Sequence, residues 1–405
     1  MISKNLKYLI LFPFLLSFSL FAQSKLGGQY PMGLPIQPLT GPCLSLEGTG
    51  TGVQNDFLGM SKNPANLAKI NRAVFNAAAS FDFLKLANDK KTANVFGFNP
   101  HIISLGIPFG PAGTLGLSLD QRNNSNFKSH SNSAVQYSDL FSAFPDTSHL
   151  WIVQDGGSIV WQAGWGYSIL NKVSLGLTYE RYYFTKHTNF IREMTGSLND
   201  TIIDSSSITF RGNGIRGGIM VPLGKLNLGF TGEYIFANKS TNYDLVSGTD
   251  TSTREIYFKP PPALGFGASY QFSPELLIAA DVDATLWNRF YSDLAGTRLR
   301  NYAMNVSFGG QYIPAPNLLT PRYIETIQYR GGFRYTQLPA ATASEAAVSI
   351  GAGLPVEQGG GLFDVIFEYG HRWDSKYTKY NEDFFGIKFG INGGRKWLKS
   401  SDTSY

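Results

Sequence analysis

From residue 73 onward, hydrophobic residues recur at every second position over most of the chain. Within residues 173–184, Val173, Leu175, Leu177 and Tyr179 share one parity, while Ser174, Gly176, Thr178 and Glu180 share the other. Side chains of a strand alternate between two faces, so this pattern predicts a strand with one apolar face and one small or polar face. The alternation returns at 226–234, 276–282, 302–308, 363–369 and 385–391, and again at 73–85, 96–109, 113–122, 157–170, 207–222, 256–271, 326–338 and 342–355. Fourteen strands are predicted, an even number within the range of bacterial outer-membrane barrels.

Alternation alone also fits a soluble sandwich. Two features favour a membrane barrel. The polar parity is poor in Lys and rich in Gly, Ser, Thr and Asn, as suits a crowded lumen. Aromatic residues gather near strand ends, at Tyr182, Tyr183, Phe184, Tyr234, Phe236, Trp287, Tyr312, Tyr335 and Trp373, as expected of interfacial girdles. Backbone groups in lipid must all be paired, and a closed ring of strands leaves no edge. The predicted fold class is therefore all-β: a transmembrane antiparallel β-barrel of about 14 strands, with an N-terminal hatch or plug segment.

The connections alternate in length. Brief ones fall at 109–112, 170–172, 223–225, 272–274 and 357–360; long polar loops are expected at 123–156, 185–206, 237–255, 288–300 and 374–383. Outer-membrane barrels place tight turns on the periplasmic side and long loops outside. The Pro-rich connection 313–325 departs from that rule.

Residues 1–22 read as a secretory signal, with Lys4 and Lys7 ahead of an apolar run from Leu9 to Phe21. That run is shorter than the roughly 20 residues a transmembrane helix needs. The expected division is 1–22 signal peptide, 23–72 hatch, 73–398 barrel and 399–405 C-terminal tail. Residues 25–72 are Gly- and Pro-rich and lack alternation, yet they carry Leu34, Ile36, Leu44, Phe57, Leu58 and Leu67. Phe57 to Lys69 has room for a short helix or two, interrupted at Pro64. Irregular backbone at membrane depth is tolerated where protein surrounds it, which predicts a plug inside the barrel. A loose periplasmic tail is the alternative reading.

Composition narrows the chemistry. Charged residues make up 16% of the 405 and aromatics 14%, with 44 Gly, a balance suited to a large β-protein. A single Cys excludes an internal disulfide framework, and the five His are scattered. No nucleophile elbow, metal spacing or phosphate-cradling loop is present. Asp281 and Asp283 share a face, but no nucleophile or base converges on them, so no enzyme is expected. A net charge of +5 without a Lys/Arg cluster argues against nucleic acid. Neither cofactor nor metal is expected.

Gly48-Thr49-Gly50-Thr51-Gly52, followed by Asn63-Pro64-Ala65-Asn66-Leu67-Ala68, resembles the hatch of FadL-type transporters of long-chain fatty acids and other hydrophobic compounds. The tail is similar to FadL-like proteins of Bacteroidetes-type bacteria: Tyr329-Arg330-Gly331-Gly332-Phe333-Arg334-Tyr335, Gly353-Leu354-Pro355, Phe367-Glu368-Tyr369-Gly370, the stretch from Phe384 to Gly390, and Lys396-Trp397. Asn66 stands where many relatives carry Gly. The resemblance implies a fourteen-stranded barrel behind an N-terminal hatch whose motif residues are Asn63, Pro64, Ala65 and Asn66.

Parity points Glu180, Arg216, Glu233, Asp281, Asp283, Arg330, Arg334, Glu368 and Lys388 into the lumen, four cations against five anions. Mutual pairing that anchors hatch to wall is their expected role, because an unpaired buried charge is costly. They are also the candidates for a substrate path, with Arg330 or Arg334 able to meet a carboxylate bidentately. The function expected is an outer-membrane channel for hydrophobic or amphiphilic small molecules, gated by the plug. A scaffold or shuttle in protein secretion and a general diffusion porin are the alternatives. Expected partners are a hydrophobic small-molecule ligand, outer-membrane lipid and lipopolysaccharide, and the barrel-assembly machinery.

Overall fold

The computed structural model describes residues 32–395 apart from 38, 88–91, 136–145, 171, 196–199, 237, 248–249, 293–298, 341, 357–359 and 375–380. The expected signal peptide, the C-terminal tail and the Lys396-Trp397 motif lie outside the described residues. Fourteen strands form one antiparallel sheet. They are β1 (Ala73–Ala87), β2 (Thr92–Pro108), β3 (Thr114–Asn124 and Phe127–Val135), β4 (Asp146–Ile169), β5 (Val173–Thr195), β6 (Asp200–Leu223) and β7 (Leu226–Ile235 and Asn238–Ser247). There follow β8 (Asp250–Lys259 and Ala263–Gln271), β9 (Leu276–Thr285 and Tyr291–Ser292), β10 (Ala303–Tyr312), β11 (Gln328–Gln337), β12 (Ala343–Val356), β13 (Gly361–Asp374) and β14 (Asn381–Arg395). Each pairs with the next, and β14 pairs with β1 from Asn381↔Ala87 to Arg395↔Ala73, so the sheet closes into a barrel.

The parity of the sequence becomes inside and outside. Leu177, Phe308, Ile350 and Ile391 of the apolar rows are 61%, 52%, 70% and 56% exposed on the outer surface, while Thr178, Ser307, Ser349 and Asn392 beside them are buried within. An outer surface this apolar is stable against hydrocarbon, not water. Every strand contributes to it.

Three stretches expected as long loops are strand instead. β4, β5 and β6 run 24, 23 and 24 residues, against the 9–11 that span a bilayer. Residues 127–135 and 146–156 therefore lie on β3 and β4, 185–195 and 200–206 on β5 and β6, and 238–247 and 250–255 on β7 and β8. The ladder needs only backbone partners, so it continues past the lipid, where nothing demands an apolar row. At about 3.3 Å per residue the surplus dozen residues of β4 to β6 rise roughly 40 Å as a ribbon over one side of the barrel.

At the other end the turns are short: Leu223 pairs with Leu226 across a two-residue turn in which Gly224 has φ +67°. A positive φ there is what a tight hairpin asks of its first residue, and Gly takes it without a Cβ clash. The 313–325 connection at this end carries a short helix, Tyr323–Thr326.

One seam is incomplete. The β2–β3 ladder runs only from Ile102↔Asp120 to Pro108↔Thr114. Pro100 has no N–H to offer farther along, and the free edge of β3 is taken by Leu34 and Pro35, which pair with Asn124 and Asn123. Ile36 N donates to Arg122 O at 2.7 Å. The N-terminal segment, read from sequence as strand-free, thus lends two residues to the wall.

Candidate binding site in the barrel lumen

Residues 39–70 pack against the inward rows of the strands. Gly50 N and Thr51 N both donate to Asp281 Oδ2 at 2.8 Å, so one carboxylate takes two consecutive amides of the Gly-rich run. Ser269 Oγ donates to Gly52 O at 2.8 Å, and Ser349 Oγ to Ser45 O at 2.9 Å on the far wall. Leu46 lies over Gly309 and Gly332, and Leu44 beside Gly390. A chain that touches β8, β10, β11, β12 and β14 on their inward rows lies inside the ring.

The Asn-Pro-Ala motif has a local explanation. Asn63 Oδ1 accepts from Ala65 N at 3.0 Å and so caps a 3-10 turn, Pro64–Lys69, in which Pro64 takes the first position. Pro64 begins the turn and does not interrupt it, because a first-turn N–H has no intrahelical partner to lose. Asn63 Nδ2 donates to Thr51 O at 2.8 Å and to Ile219 O at 3.2 Å. Gly176 and Gly218 of the wall permit this approach: a Cβ on either would lie 2.1 Å from Pro64 or Asn63. Asn66 is held by its amide, which donates to Asn55 O at 3.2 Å and accepts from Asn55 N at 3.4 Å. Its φ is not positive, so the site does not require Gly.

Above this layer lie two cavities that share Pro35, Ile36, Gln37 and Leu39 in their linings. The first, of ≈ 130 Å³, is lined by apolar Leu34, Leu39, Leu84, Leu338 and Phe384 interleaved with Asp82, Glu345, Glu368, Arg334, Arg372 and Lys388; the Arg372 guanidinium lies 4.1 Å from the centre of the Phe384 ring. The second, of ≈ 290 Å³, is lined by Met32, Ile235, Pro260, Pro261, Trp287 and Leu338 with Lys62, Arg122, Arg216, Glu233 and Asp283. An aromatic cluster continues its wall: Phe258 lies 5.1 Å from Phe210, 6.1 Å from Phe184 and 5.5 Å from Phe290, and Phe290 lies 5.4 Å from Trp287. Tyr182, Phe184 and Trp287 are buried members of this interior cluster and not parts of a girdle. Tyr182 and Phe184 share the parity of Thr178 and Glu180, so they had to face inward; Trp287 lies on a 3-10 turn, Trp287–Arg289, where strand parity does not apply. Tyr183, Tyr234, Phe236 and Tyr312 do face outward, each exposed.

All nine charges assigned to the lumen lie on inward rows, and seven are fully buried. Arg216 joins Glu180 at 3.3 Å and Glu233 at closer range, and Arg122 joins Asp120, Glu180 and Glu233 at 3.3, 3.3 and 3.5 Å. Lys62 reaches from the N-terminal segment to Asp283 at 2.7 Å and Asp281 at 3.8 Å. Arg334 meets Glu345 at 2.7 Å, Glu368 at 3.3 Å and Glu47 of the segment at 3.6 Å. Lys388 meets Glu368 at 2.9 Å and Glu47 at 3.9 Å. Arg330 is closed off from both cavities: it donates to Asp364 at 2.6 Å, to Gln311 at 2.8 Å and to Gln328. Of the two arginines singled out for a ligand carboxylate, only Arg334 borders a cavity.

Sequence reasoning did not single out Glu47, Lys62, Asp82, Asp120, Arg122, Glu345 or Arg372. Asp82 and Asp120 share the parity of Ser80 and Ser118, a signal that was present. Glu47 and Lys62 lie where no parity exists to read.

Comparison with known proteins agrees with this architecture. A family model described as BamG matches residues 231–402. No curated protein sequence matches the chain. Among solved structures, a Pseudomonas aeruginosa FadL homologue superposes with TM-score 0.62 at 14% identity, covering 90% of this chain and 100% of that one. The toluene transporter TbuX of Ralstonia pickettii gives 0.57 at 14%, covering 88% and 99%. The toluene transporter TodX of P. putida gives 0.55 at 15%, covering 90% and 100%. Two of these neighbours are toluene transporters by name and one a FadL homologue, and the protein has the fold of FadL-like outer-membrane transporters.

Proposed function

We propose that this protein is an outer-membrane channel of a Gram-negative bacterium that passes hydrophobic or amphiphilic small molecules, with residues 23–72 as its plug. The observation that carries the reading is the pair of lumenal cavities, each lined by apolar and charged side chains together, both bordered by the N-terminal segment and the second also by an aromatic cluster. Such a cavity holds an apolar body by area burial and orients a polar end with a few fixed groups. The ribbon end faces the outside and the short-turn end the periplasm. A substrate enters past the ribbon, rests against Trp287 and Phe258, and leaves when the plug shifts. Withdrawal of Leu34–Ile36 from β3 would also open the β2–β3 seam. Arg334, Lys388, Arg216 and Asp281 bond the plug directly, and Glu180, Glu233 and Glu368 hold those cations from the wall, so moving the plug breaks the ion pairs that Glu47 and Lys62 make. The names of the neighbouring transporters support a hydrophobic cargo.

The test is uptake of a labelled apolar compound such as toluene by cells lacking the chain and by cells complemented with it. Restored uptake is expected; equal uptake in both contradicts the reading.

The BamG match over 231–402 favours a second reading, a scaffold working with the barrel-assembly machinery. That reading predicts that assembly proteins co-purify with the tagged chain and that its deletion leaves uptake intact.

A further inference from the structure

At the barrel end where other strand pairs are joined by brief turns, β10 and β11 are joined by residues 313–327. This connection holds a defined shape. Ile313 N donates to Glu275 O at 2.9 Å, Ala315 N to Glu325 O at 3.1 Å, and Arg322 N to Glu325 Oε2 at 2.8 Å. The Thr326 hydroxyl donates to Tyr323 O at 2.6 Å within the short helix. Pro314, Pro316 and Pro321 restrict the backbone further. Yet the shape displays its large apolar side chains and hides few of them. Leu319 is 99% exposed, and Leu318, Tyr323 and Ile324 are exposed as well. Apolar groups held out by a fixed backbone call for a surface that covers them.

Position and charge together identify that surface. The connection leaves the wall at the margin of the lipid-facing belt. Its flanking residues Tyr312 and Tyr329 pair with each other, Leu276 pairs with Tyr312, and all three are exposed on outward rows. On the neighbouring hairpin Tyr270 and Phe272 are exposed too, with their rings 4.7 Å apart. Aromatic rings at this place in a barrel mark the head-group level, so 313–327 starts from that level. Residues 313–324 contain one cation, Arg322, which is exposed, and no carboxylate. The Glu325 that follows is turned back onto Arg322 N. Leu, Ile and Tyr around a lone cation complement a layer of phosphates above acyl chains.

We propose that residues 313–327 form a foot set into the phospholipid leaflet at the short-turn end, with Leu318, Leu319, Tyr323 and Ile324 at the acyl boundary and Arg322 at the phosphates. The foot adds to the belt a second, local attachment to lipid on the β10–β11 side. It is independent of what the bore carries and does not rest on the transport reading.

The experiment attaches a nitroxide spin label to Leu319→Cys of the full chain in nanodiscs of phosphatidylethanolamine and phosphatidylglycerol. Collision with oxygen, which concentrates among acyl chains, is compared with collision with a water-soluble nickel chelate. Ile350→Cys on the outward row of β12 serves as the lipid control and also reports that the barrel has inserted. Thr251→Cys on the exposed ribbon serves as the water control. The unaltered chain, whose Cys43 is buried, gives the background. The oxygen-to-nickel ratio at 319 is expected on the Ile350 side of the midpoint between the two controls. A ratio on the Thr251 side would overturn the proposal. Arg322→Glu should shift the ratio at 319 toward Thr251, and an unchanged ratio would contradict the contact with phosphate. A label shielded from both reagents in native membranes but open to the nickel chelate in nanodiscs would show a protein partner on the foot, and that too would overturn the proposal.

Discussion

Asn63 holds three parts of the molecule with one side chain. Its oxygen caps the Pro64–Lys69 turn, and its amide ties that turn to Thr51 within the segment and to Ile219 in the wall. Replacing it with Ala removes the cap and leaves the buried Thr51 carbonyl without this donor. The expected cost is about 1–3 kcal/mol in the attachment of the segment. Limited proteolysis should then cut the N-terminal segment of Asn63→Ala faster than that of the unaltered protein, while the barrel stays intact. The motif was legible in sequence because a cap and a first-turn Pro are local signals. The charge network was legible only by half. Parity tells which way Glu180 or Arg334 faces, but not that Arg122 joins Glu180 and Glu233 on other strands or that Glu47 reaches both Arg334 and Lys388. Those pairings depend on register and on the path of an aperiodic segment.

At the scale of the strand, the apolar row is a response to lipid and ends where lipid ends. Ile350 lies mid-row in β12, flanked by Val348 and Ala352 at the same parity, and is 70% exposed on the outer face. A Lys there should cost about 2–4 kcal/mol, read as a lower urea midpoint for folding into vesicles. The inward-facing substitution Ser349→Ala, which removes one bond to Ser45, should cost less. The same logic explains where sequence reasoning stopped. Residues 185–195 and 200–206 pair residue by residue across β5 and β6, yet both parities mix polar and apolar groups, so the ladder left no period to find. Because that ribbon stands beyond the apolar belt, cutting 185–206 down to a tight turn should leave the barrel resistant to detergent unfolding before heating. Uptake of an apolar probe should fall, since the entrance wall is gone.

For the whole molecule, closure and filling depend on each other. Pairing β14 with β1 removes the sheet edge, and the same closure makes a bore that residues 39–70 occupy. The fourteen strands could be counted from alternation because each must present an apolar row to lipid. The segment inside obeys no period; its place follows from Gly176, Gly218, Gly309 and Gly332, whose missing side chains leave room for it. The account's central claim is that this segment corks an otherwise continuous bore. Planar-bilayer conductance of the full chain, set beside that of a chain lacking residues 32–70, tests it most directly. The full chain should be nearly silent and the shortened one should open a steady ion-conducting pore. Equal conductance in the two would contradict the claim.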